Sequence, residues 1–227
     1  MISWLDLDSV LLDMDGTLLD LHFDNYFWQQ FLVEQYAQHK EISVENASAQ
    51  LNQASQDTQG KLEWYCVDYW SETLGLDIPA LKLQVRHKIQ LRPGALAFLG
   101  ALQSLPCKVV LVTNAHPKAL AIKLAASGIG QYFDRILSSH EFGLPKEDPA
   151  FWDLLQQEQP FDPSRSLFVD DTESVLLSAR SHQITHLYGI AQPDSQGPQV
   201  SLSEFPVLAH FKDIMPQLAP SQELPFG

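Results

Sequence analysis

Two carboxylates stand at the mouth of an apolar run, where Val10-Leu11-Leu12 is followed by Asp13-Met14-Asp15-Gly16-Thr17. Alternation along an extended chain sends Asp13 and Asp15 to the same side, and Gly16 lets the backbone turn sharply against a ligand. Acids so placed suit metal-assisted phosphoryl transfer, one attacking phosphorus while the other moves protons. The bland alternative is a strand end running into an acidic turn. Three distant stretches argue against it. Val109-Val110-Leu111-Val112 leads into Thr113-Asn114, Leu167-Phe168-Val169 leads into Asp170-Asp171, and Lys146 lies between them in Gly143-Leu144-Pro145-Lys146-Glu147-Asp148. Acid pair, hydroxyl, ammonium and acid pair, each after a strand or in a loop, form an ordered set.

Charge dictates what such a set must contain. A phosphate monoester dianion repels a carboxylate nucleophile, so attack requires a cation that binds both and donors around the transferring oxygens. Mg²⁺ fits, because it favours oxygen ligands and keeps several waters, so two or three protein ligands suffice. Adjacent carboxylates without a cation destabilise each other, which supports metal binding at Asp170-Asp171. If Asp15 protonates the departing ester oxygen, its pKa must be held above that of free aspartate by burial or neighbouring anions.

Short β-branched runs alternating with amphipathic helices predict an α/β fold, a parallel sheet flanked by helices on both faces. After the first strand the pattern changes, and from Asp24 to Leu91 the chain is helical. Trp28, Phe31, Leu32 and Tyr36 fall at helical spacing, Ser43 can cap a helix running toward Gly60, and Leu62 to Leu74 ends at Gly75. Pro79 can open a last helix toward Ile89. Pro93-Gly94 marks the return, followed by a helix to Leu105 and the strand Val109 to Val112. Further helices are expected from Pro117 to Ser127, from Asp148-Pro149 toward Glu158 and from Thr172 to His182, with strands at Arg135–Leu137 and His186–Tyr188. Beyond Ala191, Phe205, Leu208, Phe211 and Ile214 offer a short element that packs back on the core.

The order of these motifs resembles the haloacid dehalogenase superfamily, over residues Val10 to Gly189, and the longer text around them is similar to a subgroup of bacterial GMP/IMP nucleotidases. The resemblance implies a Rossmann-like core (residues 1–20 and 92–227) with a small all-helical cap (residues 21–91) inserted after the first strand. It implies Asp13 as nucleophile, Asp15 as acid and base, and Lys146 screening charge between Asp13 and the phosphoryl group. Thr113 and the backbone amide of Asn114, with Lys146, would bind phosphate. Mg²⁺ would be held by the Asp13 carboxylate, the backbone carbonyl of Asp15 and the Asp171 carboxylate, with Asp170 as an outer or water-mediated partner; the choice between Asp170 and Asp171 stays open. Dehalogenases lack the second aspartate of the first motif, so a phosphatase is favoured. Sugar-phosphate and phosphoglycolate phosphatases and phosphomutases share the core motifs. A receiver-type signalling module has the acids in the wrong chain order, whereas a catalytically silent scaffold is separable only by assay.

Substrate choice would then rest on the cap, where His22, Asn25, Trp28, Trp64, Tyr65 and Tyr69 offer ring faces and hydrogen bonds to a purine nucleoside monophosphate. Aromatic residues at helical spacing also serve as a bundle interior, and the histidines His116 and His140 near the motif loops read as structural. A formal net charge of −14 over 227 residues disfavours nucleic-acid polymers and anionic membranes. Two cysteines, Cys66 and Cys107, without a CxxC pair, no readable signal peptide and no membrane-length apolar run predict a cytoplasmic protein. Oligomeric state is not encoded in any motif.

Overall fold

A computed structural model describes residues 2–216. Six strands, β1 (Ser9–Leu12), β2 (Lys108–Thr113), β3 (Arg135–Ser138), β4 (Ser166–Val169), β5 (His186–Ile190) and β6 (Val207–Leu208), form one sheet in the order β3-β2-β1-β4-β5-β6. Every neighbouring pair is parallel, with Leu12 beside Leu111 on one side and Val169 on the other. The chain moves outward from β1 to β3 and then crosses back to β4. The strand order therefore reverses beside β1, and the crevice beyond the carboxyl ends of β1 and β4 is where such sheets bind ligands.

The strands read as continuous apolar runs because both faces are covered. Val10, Leu12, Val109, Leu111, Leu167 and Val169 point to one face, against Phe98, Leu99 and Leu102 of the helix Ala95–Leu102. Leu11, Val110, Val112 and Phe168 point to the other, against Trp152, Leu155, Val175 and Leu176. Those residues belong to the helices Pro149–Glu158, capped by Asp148, and Glu173–Ser181. The helix Pro117–Ser127 starts at His116 and stops at Gly128, which has φ +69°. Phe205, Leu208, Phe211 and Ile214 are buried, Leu208 within β6 and the last two within a 3₁₀ turn.

Between β1 and β2 the chain is helical, through α1 (His22–Tyr26), α2 (Leu32–Lys40), α3 (Val44–Thr58), α4 (Val67–Leu74) and α5 (Ile78–Gln84). We number the remaining helices α6 (Ala95–Leu102), α7 (Pro117–Ser127), α8 (Pro149–Glu158) and α9 (Glu173–Ser181). This insertion closes an apolar cluster of its own, including Phe27, Leu32, Val33, Leu51, Trp70, Leu74 and Ile78, to which α7 contributes Ala119. Where the chain leaves and re-enters the core, Leu19 and Leu91 form an antiparallel bridge. The Asp20 amide donates to the Gln90 carbonyl and the Arg92 amide to the Leu18 carbonyl, both at 2.9 Å.

Several local expectations are corrected. Leu62 to Leu74 is not one helix: a 3₁₀ turn, Leu62–Tyr65, stops at Cys66, whose backbone is extended and whose Sγ accepts the Tyr69 amide at 3.4 Å to cap α4. The helix carrying Pro79 ends at Gln84 instead of reaching Ile89, and Arg86–Lys88 forms a separate 3₁₀ turn. Phe27–Phe31 is a π-helical turn joining α1 to α2. The extra residue in that turn shifts the helical register, so Phe27 is buried while Trp28 and Gln29 face a cavity. The helix expected to reach Leu105 ends at Leu102, β2 gains Lys108 and Thr113, and β5 continues to Ile190.

Candidate active site

Asp13 follows β1 directly and continues its ladder, donating its amide to the Val169 carbonyl at 3.0 Å. Its carboxylate is buried at the sheet's carboxyl end, with Oδ1 2.6 Å from Lys146 Nζ. Oδ2 is buried with no hydrogen-bond partner among the described residues. Such an orphaned anionic oxygen is costly unless something else satisfies it. Burial pushes the Asp13 carboxyl up to about 6; Lys146 pulls it down, and Asp170 adds to the rise.

Lys146 is 2 % exposed and donates to three oxygens: Asp13 Oδ1 and Asp170 Oδ2, both at 2.6 Å, and the Val112 carbonyl at 3.2 Å. Burial alone would lower its pKa, but Asp13 and Asp170 hold it above the usual lysine range. Asn114 fixes the loop that carries it, accepting the Lys146 amide through Oδ1 at 2.9 Å while Nδ2 donates to Glu147 at 2.9 Å. Glu147 in turn accepts the Tyr65 hydroxyl of the insertion at 2.5 Å. Thr113, the last residue of β2, is buried and takes the Ala115 amide on its hydroxyl at 3.0 Å.

Asp170 follows β4 and has both oxygens engaged, Oδ2 by Lys146 and Oδ1 by the Thr172 amide at 2.9 Å. Asp171 takes the Thr172 hydroxyl on Oδ1 at 3.1 Å, and its Oδ2 lies where a Cβ on residue 16 would stand. Gly16 has φ +79°, so glycine is required there both for the turn and for the room. One oxygen from each of Asp13, Asp170 and Asp171 falls within 4.8 Å of the others. Burial, reinforced by Asp170 and Asp13, raises the Asp171 carboxyl well above the usual carboxylate range. An orphaned oxygen, three converging carboxylates and this mutual repulsion fit a hard divalent cation bound through oxygen.

Asp15 is half-buried and reaches a different partner, Lys123 of α7, at 2.7 Å. Burial pushes it up to about 6, while Lys123 opposes and Asp24 and Asp13 add. Lys123 Nζ also bonds Asp24 at 2.7 Å, and Asp24 bonds Lys82 of α5 at 2.8 Å. Burial would raise the Asp24 carboxyl, but Lys123 and Lys82 hold it below the usual range. The Lys82 ammonium lies 4.3 Å from the Phe27 ring centroid and 5.2 Å from that of Trp28.

These residues line one cavity of about 400 Å³. Its floor is Asp13, Asp15, Thr113, Asn114, Lys146, Asp170 and Asp171, and the insertion supplies Asn25, Trp28, Asn52, Trp64, Tyr65 and Trp70. All the motif residues expected from the sequence are therefore together. Of the aromatic and polar candidates in the insertion, His22 and Tyr69 lie outside the lining; His22 is 3.4 Å from Asp194, which also accepts Asn25 Nδ2 at 2.7 Å. Sequence reasoning passed over Lys82, Lys123 and Asp24. The available signal was a lysine on the apolar face of each helix, Lys123 with Ala119 and Leu120, Lys82 with Ile78 and Leu81.

Residues 7–182 match the haloacid dehalogenase-like hydrolases. The chain belongs to that family. Over 217 residues it is 41% identical to the GMP/IMP nucleotidase YrfG of Escherichia coli, spanning 96% of this chain and 98% of that protein. It is also 33% identical to the pyrimidine 5'-nucleotidase YjjG of Escherichia coli, but over only 81 residues, 35% of this chain and 36% of that one. The fold is shared with the HAD phosphatase from Thermococcus onnurineus, at a TM-score of 0.75 and 20% identity over 92% of this chain and 96% of the other. This haloacid dehalogenase-like chain is thus a hydrolase with an α/β Rossmann-like core. Among the described residues, no helix is long and apolar enough to cross a membrane.

Proposed function

We propose that the chain hydrolyses purine nucleoside 5'-monophosphates such as GMP and IMP, with Mg²⁺, through a phosphoryl group carried transiently on Asp13. The observation that carries the reading is the convergence of Asp13, Lys146, Asp170 and Asp171 at the floor of one cavity. The 41% identity to a GMP/IMP nucleotidase over nearly the whole chain supports the substrate class.

In this reading the Asp13 carboxylate, the Asp15 backbone carbonyl and the Asp171 carboxylate hold Mg²⁺, since both oxygens of Asp170 are already engaged. The ion supplies positive charge that lets two anions meet. Asp13 attacks phosphorus, forming an O–P bond as the bond to the ribose oxygen breaks. Asp15 gives its proton to that leaving oxygen, and its carboxyl, raised to about 6, is partly protonated near neutrality. Leaving Lys123 is the movement this step requires of Asp15. Water then attacks the phosphoryl group on Asp13, Asp15 accepts its proton, and inorganic phosphate departs. Lys146 holds the Asp13 carboxylate in place and screens it, and Thr113 with the Asn114 amide receives phosphate oxygens.

Residues 21–91 act as the cap over this chemistry, with Trp28, Trp64 and Trp70 offering ring faces to a base. The test is phosphate release from a panel of nucleoside monophosphates, sugar phosphates and phosphoglycolate, each with Mg²⁺ and with chelator. GMP and IMP should give the highest kcat/KM, and chelator should abolish release. A wide margin for sugar phosphates would overturn the purine assignment alone, whereas no Mg²⁺-dependent release from any ester would overturn the whole reading.

A further inference from the structure

A second cluster of metal-type donors shares no residue with the carboxylates, although one member, His116, lines the same cavity. Cys66, His116 and His140 each present a ligand atom, and these atoms lie within 4.8 Å of one another. They come from different parts of the fold. Cys66 begins α4 in the insertion, His116 precedes α7 in the core, and His140 sits in the 3₁₀ turn Ser139–Glu141 after β3. The two imidazoles meet edge to face, with centroids 4.8 Å apart.

Among the described residues nothing uses His140 Nε2, which is buried without a hydrogen-bond partner. A ring nitrogen in that state loses its hydration and gains no bond, a deficit that a cation would remove. Burial, with His116 beside it, pushes the His140 ring down to about 4, although the Asn114 main chain and Asp68 act the other way. Burial likewise lowers His116. Burial thus favours the neutral ring at both positions, the form in which imidazole ligates a metal. Asp68, two residues past Cys66, places Oδ2 3.6 Å from His116 Nε2.

We propose that Cys66, His116 and His140 bind Zn²⁺, or a similar borderline-soft divalent cation, and that the bound ion pins the helical insertion to the core. Sulfur and two nitrogens are the donors that select Zn²⁺ and that Mg²⁺ avoids, so this site and the carboxylate site take different ions. On binding, the Cys66 S–H bond is exchanged for an S–Zn bond and the proton passes to solvent, with no change of oxidation state. The fourth position falls to water or to Asp68. Because one ligand lies in the insertion and two in the core, occupancy resists any separation of the two. A turnover that opens the cavity by moving residues 21–91 away from the core is then slowed by Zn²⁺ held outside the carboxylate cluster.

Co²⁺ is the probe, because a thiolate ligand announces itself as a charge-transfer absorption. Tag-free protein cleared with chelator should take up one equivalent of Co²⁺ with that band, and Zn²⁺ should bleach it. Cys66→Ser should lose the band, and His140→Ala should weaken Co²⁺ binding about 100-fold or more. Asp13→Asn, which disables the carboxylate site, should leave the band intact. In turnover assays at saturating Mg²⁺, Zn²⁺ should inhibit the parent chain but not Cys66→Ser, whose rate without Zn²⁺ should equal the parent's. No band from the parent, a band that survives both substitutions, or a band lost in Asp13→Asn would overturn the site. Equal inhibition of the parent and Cys66→Ser would overturn the pinning. The spectroscopic arm does not depend on the phosphatase reading, so failure of either is recognisable by itself.

Discussion

Two buried lysine clusters sit side by side in this molecule and balance their charge differently. Around Lys146, three carboxylates, Asp13, Asp170 and Asp171, face a single ammonium, so full ionisation puts two negative charges in excess. Around Asp24, two carboxylates face two ammonium groups, Asp15 and Asp24 against Lys82 and Lys123, and the cluster is neutral. The lysines are equally buried in both, so the difference lies in the carboxylates that surround them. A neutral buried network is complete as it stands. One short by two positive charges is complete only with a divalent cation.

Removing the reactive group breaks the comparison most severely. Asp13→Asn should lower kcat at least about 10⁴-fold, measured by phosphate release, since a group acting directly on the reacting atom is lost. The neutral cluster should answer in stability instead. Asp24→Asn leaves Lys82 without its carboxylate and Lys123 with Asp15 alone, and should cost about 3–5 kcal/mol in urea unfolding, the usual penalty for removing one partner of a buried ion network. A cost below 1 kcal/mol would mean that the network is solvated in practice.

The charge-deficient cluster should respond in the opposite sense. Asp171→Asn removes one of three repelling carboxylates, so the metal-free protein should melt higher than the parent. Mg²⁺ affinity, followed by calorimetry, should fall about tenfold or more. An unchanged Mg²⁺ affinity would return the ligand role to Asp170.

Acidity separates the two clusters by a smaller margin. The Asp13 pKa is raised by folding, so its contribution to metal-free stability is full below about 4, the unfolded value, and is lost as pH rises through about 6. Asp24 is depressed by folding, so its contribution is full above about 4 and disappears only as pH falls further, through its folded value. The melting temperature of the metal-free chain should therefore rise from pH 7 to about pH 5 and fall in stronger acid. Saturating Mg²⁺ should shrink the first limb to the part that belongs to Asp15, also raised to about 6, and leave the second. A first limb unchanged by Mg²⁺ would detach it from the carboxylate site.

The same contrast explains what could be read from the sequence. Asp13 and Asp170 each follow a fully buried strand and Thr113 ends another that is buried beyond Lys108, and a continuous apolar run ending in a polar pair is a local signal. So are Pro117 and Gly128 at the two ends of α7, and Asp148-Pro149 at the start of α8. The neutral cluster has no such text. Asp24 meets Lys82 across 58 residues and Lys123 across 99, and each lysine counts as surface until its partner is in view. The break at Cys66 and the π turn at Phe27–Phe31 escaped for a related reason. Side-chain periodicity reports which face is apolar, and it is blind to one residue of slippage inside a helix or to a sulfur replacing the usual oxygen as a cap.

The bridge between Leu19 and Leu91 makes the excursion from the core begin and end at a single doorway. Roughly seventy residues could be exchanged there as a cassette, because joining Asp20 to Arg92 needs only a tight turn where an antiparallel bridge already holds the two segments together. The scaffold that holds Asp13, Lys146 and Asp171 would keep its ladder through such a swap. Any segment exchanged there must still offer Lys123 a carboxylate, because Asp24 and Lys82 leave with the residues removed.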